Sequence, residues 1–293
     1  MEQNGLLTIF TPTYNRAYIL EKLYVSLCKQ TVSAFEWLIV DDGSTDNTES
    51  LVSEWMNEKK IVIRYIKQEN GGKQRAHNTG VENARGELFV CVDSDDYVTD
   101  NFAEAHLMKL SEIRGDTTIA GIVSLQAHSD GKPIGSYFPE GLKKTTLLDL
   151  YGKYKFKGDA TLAYYTSVLK QYPFKVADGE KFIGETYVYS QIDQKYELSI
   201  LPEILLIKEY LPDGYTTNVR KLTKKNPKSY MMLKRQAIVF STTLKEKYEN
   251  TILYGVGCHI AHVNMITDAP DKVAAILMYL PSWLAWVIFY KNA

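Results

Sequence analysis

The 293-residue sequence is poor in cysteine and has almost no net charge, and each shortage excludes a class of protein. Its three cysteines, Cys28, Cys91 and Cys258, are widely spaced and include no C-x-x-C pair. This spacing argues against a disulfide framework or a zinc site and favours a reducing compartment. Lys and Arg number 34 against 35 Asp and Glu, so no overall charge would attract the chain to nucleic acid.

Targeting and nucleotide-binding signatures are missing as well. Residues 1–10 contain no basic stretch followed by a long apolar run, so we predict no secretory signal and a cytoplasmic location. No G-x-G-x-x-G follows the first predicted strand and no G-x-x-x-x-G-K-[ST] occurs, which disfavours a dinucleotide-binding fold and a P-loop. The apolar content of 45% is nevertheless enough for one large domain, or two fused halves, with an ample core.

Short apolar runs alternate with helical spacings over residues 5–100. Strands are predicted at residues 6–10, 37–40, 61–66 and 88–92. Helices are predicted between them, the second of which would be capped by Ser44 or Thr45. This alternation predicts a parallel sheet covered by helices on both faces, in which ligands bind outside the carboxyl ends of the strands.

Polar clusters follow the first, second and fourth predicted strands, so we expect them to meet at one edge of the sheet. Asp93 and Asp95 form a D-x-D pair there, and carboxylates this close are best tolerated in water or around a cation. A lone D-x-D is more often a solvated acidic turn, but its place at the ligand edge favours Mg²⁺ or Mn²⁺ binding on a diphosphate. Residues 41–44 are typical either of a nucleobase-binding segment or of a simple strand-to-helix turn.

Four motifs follow one another along this part of the chain: T-P-T-Y-N-R, L-I-V-D-D-G-S-T-D-N-T, N-G-G-K-Q-R-A-H-N-T-G and V-D-S-D-D. In this order and at these intervals they resemble the family-2 glycosyltransferases. The resemblance is strong over residues 5–100, thinner to about residue 210 and weak beyond. It implies an inverting enzyme with the GT-A fold, an α/β, Rossmann-like, mostly parallel sheet flanked by helices. We expect a helical C-terminal extension after it.

The resemblance also implies roles for individual residues. The donor-binding residues would be Pro12, Thr13, Tyr14, Asp42, Lys73, Asn78, Asp93 and Ser94. Asp42 would bind the base, which we expect to be the uracil of a UDP-sugar. Asp93 and Asp95 would hold Mg²⁺ or Mn²⁺ on the diphosphate, with Asp95 as the direct metal ligand.

An inverting transfer needs one general base to deprotonate the acceptor hydroxyl. The family usually has a Glu-Asp pair at the start of a helix, whereas this sequence has Glu185 followed by Thr186. We predict Glu185 as the base, with Glu180 as the main rival and Asp178 as a weaker one. An acid at this position would also stabilise the first turn of a helix over residues 186–195, and both interpretations can hold. Asp159 is expected on the acceptor side, and His106 and His128 are expected at packing or surface positions.

Residues 273–290 contain no charged side chain. A straight helix over them would reach about 27 Å, just short of the hydrocarbon core of a bilayer. The central Pro281 and the spread aromatic residues favour a broken segment in the membrane interface over a span. A basic stretch over residues 208–247 would add attraction to anionic lipid. A buried core helix and a homodimer contact are the alternatives.

These patterns predict three functional parts. Residues 1–100 would bind the nucleotide sugar, residues 101–212 would bind the acceptor and carry the base, and residues 213–293 would form a basic and apolar, membrane-associating extension. The predicted reaction moves a sugar to a glycan or polyprenyl-phosphate-linked acceptor in bacterial capsule-type polysaccharide synthesis, at the inner face of the cell membrane. The alternatives are a nucleotidyltransferase, disfavoured by the lack of a glycine-rich basic loop after the first strand, and a non-catalytic subunit of a glycan-assembly complex.

Overall fold

The computed structural model describes residues 7–209 and 219–291, and the chain divides into two compact units. Unit 1 is formed by Met1–Pro173 and Val188–Leu211, and unit 2 by Phe174–Tyr187 and Pro212–Ala293. The three parts predicted from the sequence, divided at residues 100 and 212, are defined by function and not by compact packing. That division stays a prediction.

All described strands lie in unit 1. They are β1 (Leu7–Thr13), β2 (Phe35–Asp41), β3 (Ile63–Lys67), β4 (Leu88–Cys91), β5 (Tyr97–Val98), β6 (Ile119–Ala127), β7 (Lys144–Thr145), β8 (Ala160–Tyr165) and β9 (Glu197–Ile207). The helices of this unit are α1 (Glu21–Cys28), α2 (Thr48–Glu58), α3 (Lys73–Asn83), α4 (Phe102–Ile113), α5 (Leu147–Gly152) and α6 (Thr166–Leu169). Helix α7 (Thr186–Ile192) begins in unit 2 and ends in unit 1. Unit 2 also contains α8 (Val219–Lys225), α9 (Pro227–Phe240), α10 (Leu244–Ala261), α11 (Met265–Asp268), α12 (Lys272–Leu277) and α13 (Tyr279–Phe289).

The strands form one sheet in the order β3-β2-β1-β4-β8-β6-β9-β5, and β7 pairs with β9 beside this path. Strands β1, β2, β3 and β4 pair in parallel. Strand β8 is antiparallel to both β4 and β6, so β6 runs in the same direction as β4. Strand β9 pairs in parallel with β6 and therefore also runs in this direction. The mostly parallel α/β sheet predicted from the sequence is therefore confirmed. The carboxyl ends of β1, β2, β4, β6 and β9 lie along one side, which we call the carboxyl edge.

Helices pack against both faces of the sheet. Since alternate residues of β1 point to opposite faces, this strand contacts helices on each side. Ile9 belongs to the main core cluster with Leu23 of α1 and Phe102 of α4. On the other face, Phe10 contacts the ring of His77 on α3, with 5.6 Å between the ring centroids. Strands buried on both faces read as continuous apolar runs, which explains why these strands were recognisable from the sequence.

Strand β1 continues to Thr13 instead of ending at residue 10 as predicted. Its pairing with β4 stops at Phe10, and beyond this point it pairs with β2 alone. Pro12 has no N–H to donate. At this position β1 has a neighbouring strand on one side only, so the missing N–H does not cost a hydrogen bond to a second strand. A proline therefore did not end the strand here.

The predicted cap of the second helix is wrong. Helix α2 begins at Thr48, and the carboxylate of Asp46 accepts the Thr48 N–H at 3.1 Å. Ser44 instead accepts the N–H of Asn15 at 2.8 Å, and the N–H of Thr45 donates to the Asn15 side chain at 2.8 Å. Both residues tie the loop after β2 to the loop after β1, a non-local contact that a local sequence pattern does not reveal.

His106 on α4 is a packing residue, as predicted. Its side chain is fully buried, and its Nδ1 lies 2.8 Å from the carbonyl oxygen of Phe102, to which it donates in that tautomer. Burial lowers the pKa of His106 to about 4. Because this folded pKa lies below the ordinary value, the stability that neutral His106 contributes is present above about pH 6.5 and is lost as the pH falls toward 4.

We therefore expect His106→Asn to make the protein less sensitive to acid. Between pH 7 and pH 5 the free energy of unfolding of the variant should fall by about 2 kcal/mol less than that of the parent. Asparagine keeps a side-chain N–H for the Phe102 carbonyl but takes up no proton in this range. Urea unfolding at both pH values measures the difference, with the exposed His128→Asn as the matched control. Parallel losses in the parent and in His106→Asn would contradict this account.

The predicted helical C-terminal extension is confirmed in unit 2. Helices α9 and α10 share an apolar cluster that includes Met231, Ile238, Tyr254 and Cys258. The apolar segment is broken, but at Met278 between α12 and α13 rather than at Pro281. Pro281 lies in the first turn of α13, where a missing N–H leaves no intrahelical bond unmade. Among residues 7–209 and 219–291, no helix is long and apolar enough to cross a membrane.

Candidate active site

The carboxyl edge gathers the polar segments that follow β1, β2 and β4. The N–H of Asp42 donates to the carbonyl of Thr13 at 2.8 Å, and the N–H of Val92 donates to the carbonyl of Phe10 at 2.9 Å. These bonds fix the ends of three adjacent strands, so the segments that continue from them leave the sheet side by side. The predicted donor-side residues on these segments are therefore neighbours within unit 1.

The loop after β1 carries the residues predicted to line a nucleoside pocket. Pro12 is half-buried and the Tyr14 ring is 48% exposed. Thr13 is buried, and its hydroxyl has no hydrogen-bond partner within the part of the chain that the structure describes. Buried hydroxyls are nearly always paired, so the Thr13 hydroxyl has hydrogen-bonding capacity left for a ligand.

Asp42, predicted to bind the base, holds the glycine turn that precedes α3. Its Oδ1 accepts from Gln68 Nε2 at 2.7 Å and from the Gly71 N–H at 2.9 Å. Its Oδ2 accepts from the Gly72 N–H at 2.7 Å. Gly72 has a φ of 95°, a left-handed conformation that favours glycine and places its N–H toward the carboxylate. The turn is thus fixed by the segment after β2.

Lys73 begins α3 directly after this turn and reaches the D-x-D segment. Its Nζ lies 2.8 Å from Asp93 Oδ1 and 2.9 Å from Oδ2. Burial alone would raise the pKa of Asp93, but the neighbouring Lys73 ammonium outweighs it and holds that pKa below the ordinary value. Asn78, predicted near the ribose or phosphates, lies half-buried on the same helix. Lys73 and Asp93 are therefore brought together as an ion pair.

Three carboxylates crowd the segment after β4. Burial, followed by the Asp93 charge, raises the pKa of Asp95. Burial and the charges of Asp93 and Asp95 together raise the pKa of Asp96 to about 8. Ser94, which lies between Asp93 and Asp95 in the sequence, is buried. Like charges held this close each favour protonation of the others, and a bound cation would relieve that repulsion.

Lys208 is a cation of this site that sequence reasoning missed. It follows β9, its N–H donates to the Ala127 carbonyl at the end of β6, and its Nζ lies 2.8 Å from Asp159 Oδ2. Burial lowers its pKa, but the hydrogen bond and charge of Asp159, together with the Asp96 charge, raise it overall. The sequence placed Lys208 in a basic C-terminal run. Its position directly after a strand-like apolar run was the signal that could have placed it at the carboxyl edge.

The candidate bases lie in unit 2. Glu180 is buried, and its two carboxylate oxygens accept the N–H groups of Lys228 at 2.8 Å and Ser229 at 2.7 Å. These N–H groups belong to the first turn of α9, so Glu180 caps that helix. Glu185 and Asp178 are exposed, and Glu185 directly precedes α7. Glu180 is thus held in place at the start of the helix that it caps.

The residues of the D-x-D segment fit a divalent cation. Asp93 and Asp95 offer carboxylate oxygens, the ligands that Mg²⁺ and Mn²⁺ prefer, and their crowding favours a cation among them. In residues 7–209 and 219–291 no group of three or more His, Cys, Asp or Glu side chains is arranged to hold a metal. A magnesium ion on a nucleotide is commonly held by one or two carboxylates, with phosphate oxygens and water completing the shell.

Comparison with known proteins decides the family. The profile of Glycosyl transferase family 2 matches residues 8–173, more than half of the chain. The chain belongs to glycosyl transferase family 2. The resemblance recognised from the four sequence motifs is confirmed, and the matched range includes every predicted donor and metal residue but not Glu185. The roles of the individual residues stay predictions.

Individual members of family 2 match part of the chain. The glycosyltransferase GlyA of Streptococcus pneumoniae is 35% identical over 118 residues, 40% of this chain and 17% of GlyA. The poly(ribitol-phosphate) β-N-acetylglucosaminyltransferase TarS of Staphylococcus aureus is 28% identical over 189 residues, 62% of this chain and 32% of TarS. The chain thus spans less than half the length of these curated relatives.

Solved structures confirm the GT-A fold of this family-2 chain. The crystal structure of S. aureus TarS 1–349 in complex with UDP-GlcNAc has a TM-score of 0.59 at 18% identity and covers 98% of this chain and 93% of that one. The mannosyltransferase PcManGT from Pyrobaculum calidifontis, in complex with GDP-Man and Mn²⁺, has a TM-score of 0.56 at 19% identity and covers 98% and 81%. At these identities the likeness concerns the fold alone.

Proposed function

We propose that this chain is an inverting, metal-dependent glycosyltransferase. It would move a sugar from a UDP-sugar to a glycan or polyprenyl-phosphate-linked acceptor in bacterial capsule-type polysaccharide synthesis. The observation that carries the proposal is the contact of Lys73 with Asp93 next to Asp95, at the carboxyl edge of a family-2 chain. A UDP-GlcNAc complex of TarS and a GDP-Man and Mn²⁺ complex of PcManGT, both on this fold, support a nucleotide-sugar donor and a cation.

The nucleoside would lie between the loop after β1 and the segment after β2. A carboxylate has about four lone-pair positions. In Asp42 three of them accept from Gln68, Gly71 and Gly72, which leaves one on Oδ2. The proposal gives this position to the N–H of uracil, with the Tyr14 ring and the Thr13 hydroxyl beside it. Asp42 would then both hold the glycine turn and recognise the base.

The diphosphate would lie over the D-x-D segment. Asp93 and Asp95 would hold Mg²⁺ or Mn²⁺, which when bound neutralises charge on the departing nucleoside diphosphate. Lys73 fixes the Asp93 carboxylate from one side and keeps it ionised. Lys208, paired with Asp159, adds a second positive charge close to Asp96 and Asp93.

Glu185 would take the proton of the acceptor hydroxyl. The hydroxyl oxygen forms the new bond to the anomeric carbon while the bond from that carbon to the phosphate oxygen breaks, and the electron pair leaves with the nucleoside diphosphate. Attack from the face opposite the nucleotide inverts the configuration. The exposure of Glu185 supports this choice, because an acceptor hydroxyl can reach an exposed carboxylate, whereas Glu180 is buried as a helix cap.

Binding of a donor can be measured without knowing the acceptor. We expect UDP-sugars with Mn²⁺ to raise the melting temperature, because a ligand at 100 times its dissociation constant adds about 2.7 kcal/mol of stability. GDP-mannose with Mn²⁺ is the control and should give a smaller shift. If no nucleotide sugar raised the melting temperature, the non-catalytic subunit would be favoured. Release of pyrophosphate from a nucleoside triphosphate in the presence of a sugar 1-phosphate would favour the nucleotidyltransferase.

Location at the inner face of the cell membrane belongs to the same proposal. An acceptor carried on a polyprenyl phosphate is held in a bilayer, whereas a nucleotide sugar is dissolved in water. An enzyme on the membrane surface would meet both. The homodimer predicted as an alternative use of the apolar C-terminal segment stays an alternative.

A further inference from the structure

Helices α12 and α13 of unit 2 bury their small side chains and expose their large ones. Ala274, Ala275 and Ser282 are the buried residues of this pair. A helix on the surface of a globular protein normally turns its bulky apolar side chains inward and its polar side chains outward. The pattern here is largely the reverse. Ser282 lies inside and Trp283 outside, while Trp286 is half-buried and stacks on the His259 ring of α10.

The packing of α13 against α10 fixes this orientation. A Cβ atom on Gly255 of α10 would lie 2.5 Å from the Cβ of Ser282, so the two helices meet at a point where only small residues fit. The Ser282 hydroxyl donates to the Tyr279 carbonyl at 2.7 Å and therefore needs no water. Turning α13 to bury its bulky residues would push them into this close contact.

Six exposed apolar side chains of α12 and α13 make up what we call the apolar face. Its members are each between 42% and 68% exposed: Val273, Ile276, Leu280, Trp283, Leu284 and Ile288. On α13, Leu280, Leu284 and Ile288 are spaced four residues apart, and such residues are neighbours along one side of a helix. Scattered single apolar side chains are ordinary on a surface, but a contiguous apolar face marks an interaction site.

Positive charges border the apolar face. Lys272 and Lys291 stand at its two ends, and residues 273–290 between them include no acid. The Lys291 ammonium lies 5.7 Å from the centre of the Trp286 ring, and the Arg220 guanidinium lies 5.2 Å from the centre of the Phe289 ring. Bulky apolar and aromatic residues with cations beside them are the composition of helices that lie in a membrane interface.

We propose that the apolar face docks unit 2 onto the surface of a bilayer that contains anionic lipids, with α12 and α13 lying in the interface. A second copy of the chain fits the face less well. A twofold interface presents the same residues from both sides, so cations would meet with no acid from 273–290 to pair with them. The inference names the surface through which the membrane location in the proposed function would be reached. Vesicle binding tests it separately from sugar transfer, because it requires neither donor nor acceptor.

Flotation of the full chain with vesicles tests the docking. We expect binding to vesicles of phosphatidylcholine and phosphatidylglycerol, and weaker binding to phosphatidylcholine alone or at high salt. Leu280→Ser combined with Ile288→Ser should weaken partitioning by at least about tenfold, since two apolar side chains leave the interface. Val62→Ser combined with Met108→Ser, which changes equally exposed apolar residues of unit 1, should have no effect.

Two further variants separate a lipid surface from a protein partner. Lys272→Gln and Lys291→Gln should each reduce binding to the anionic vesicles about fivefold. Leu280→Phe combined with Ile288→Phe should preserve vesicle binding, because lipid chains adapt to a larger side chain, whereas a packed protein interface does not. Light scattering on the same proteins reports whether any of them dimerises.

Three results would overturn the docking. They are failure of the parent protein to float with anionic vesicles, unchanged flotation of the serine pair, and a dimer that both the serine and phenylalanine pairs dissociate. If the parent protein bound vesicles but showed no thermal shift with any UDP-sugar, the result would count against the proposed function and not against the docking. Circular dichroism of each variant confirms that the exposed substitutions leave the fold in place.

Discussion

Replacing Asp95 by alanine should lower sugar transfer by about 10²–10³-fold while the protein stays folded. Neutralising charge on a departing diphosphate is worth several kcal/mol, and each 1.36 kcal/mol corresponds to a factor of ten in rate. The fold should survive because burial and the Asp93 charge already disfavour an ionised Asp95 carboxylate. Removing this charge relieves repulsion within the D-x-D segment.

Transfer and Mn²⁺-dependent donor binding should fail together in Asp95→Ala. Turnover is measured as UDP release with the donor found by thermal shift, and urea unfolding reports stability. Asp100→Ala, an exposed acid a few residues further along the chain, is the matched control and should behave as the parent does. An Asp95→Ala protein with near-normal turnover would eliminate the metal role proposed for this residue.

Glu185→Gln should remove most turnover and leave donor binding intact. General-base catalysis contributes about 10²–10⁴-fold, and glutamine keeps the size of the side chain without a basic oxygen. The thermal shift given by a UDP-sugar and Mn²⁺ should equal that of the parent, because Glu185 is assigned to the acceptor side. UDP release in the presence of acceptor measures the loss.

The two rival acids provide the controls for this experiment. Glu180→Gln should lower the free energy of unfolding by about 1–3 kcal/mol, because the N–H groups of Lys228 and Ser229 lose a charged acceptor. Asp178→Asn should change neither stability nor rate. If Glu185→Gln turned over normally, the base would have to be Glu180 or Asp178, and a rate loss in Asp178→Asn without a stability loss would identify the latter.

The sequence predicted the half of the sheet whose strands follow one another along the chain. Buried parallel strands such as β2 are continuous apolar runs, so their positions and the acids at their ends could be recognised locally. The insertion of β8 between β4 and β6 could not, because it depends on pairing between distant segments. Asp93 and Asp95 were recognised for the same local reason, as a repeated acid directly after an apolar run.

The partners of these acids were harder to predict. Lys208 reaches the site only because β9 is parallel to β6 and ends at the same edge, a fact of topology rather than of local sequence. Asp42 looked equally suited to a base-binding role and to a turn, and its three bonds to Gln68, Gly71 and Gly72 became visible only in three dimensions. Side-chain networks across distant segments leave no periodic trace in a sequence.

Asp42, Gly72, Lys73 and Asp93 form a continuous chain of contacts between the two ends of the proposed nucleotide site. A ligand that shifts the Asp42 carboxylate would also shift Gly72 and Lys73, and with them the Asp93 carboxylate. Nucleoside and cation should accordingly bind with a shared coupling energy, each tightening or loosening the other by the same factor. Evolution of a new base preference at Asp42 would in that case retune the affinity for the ion as well.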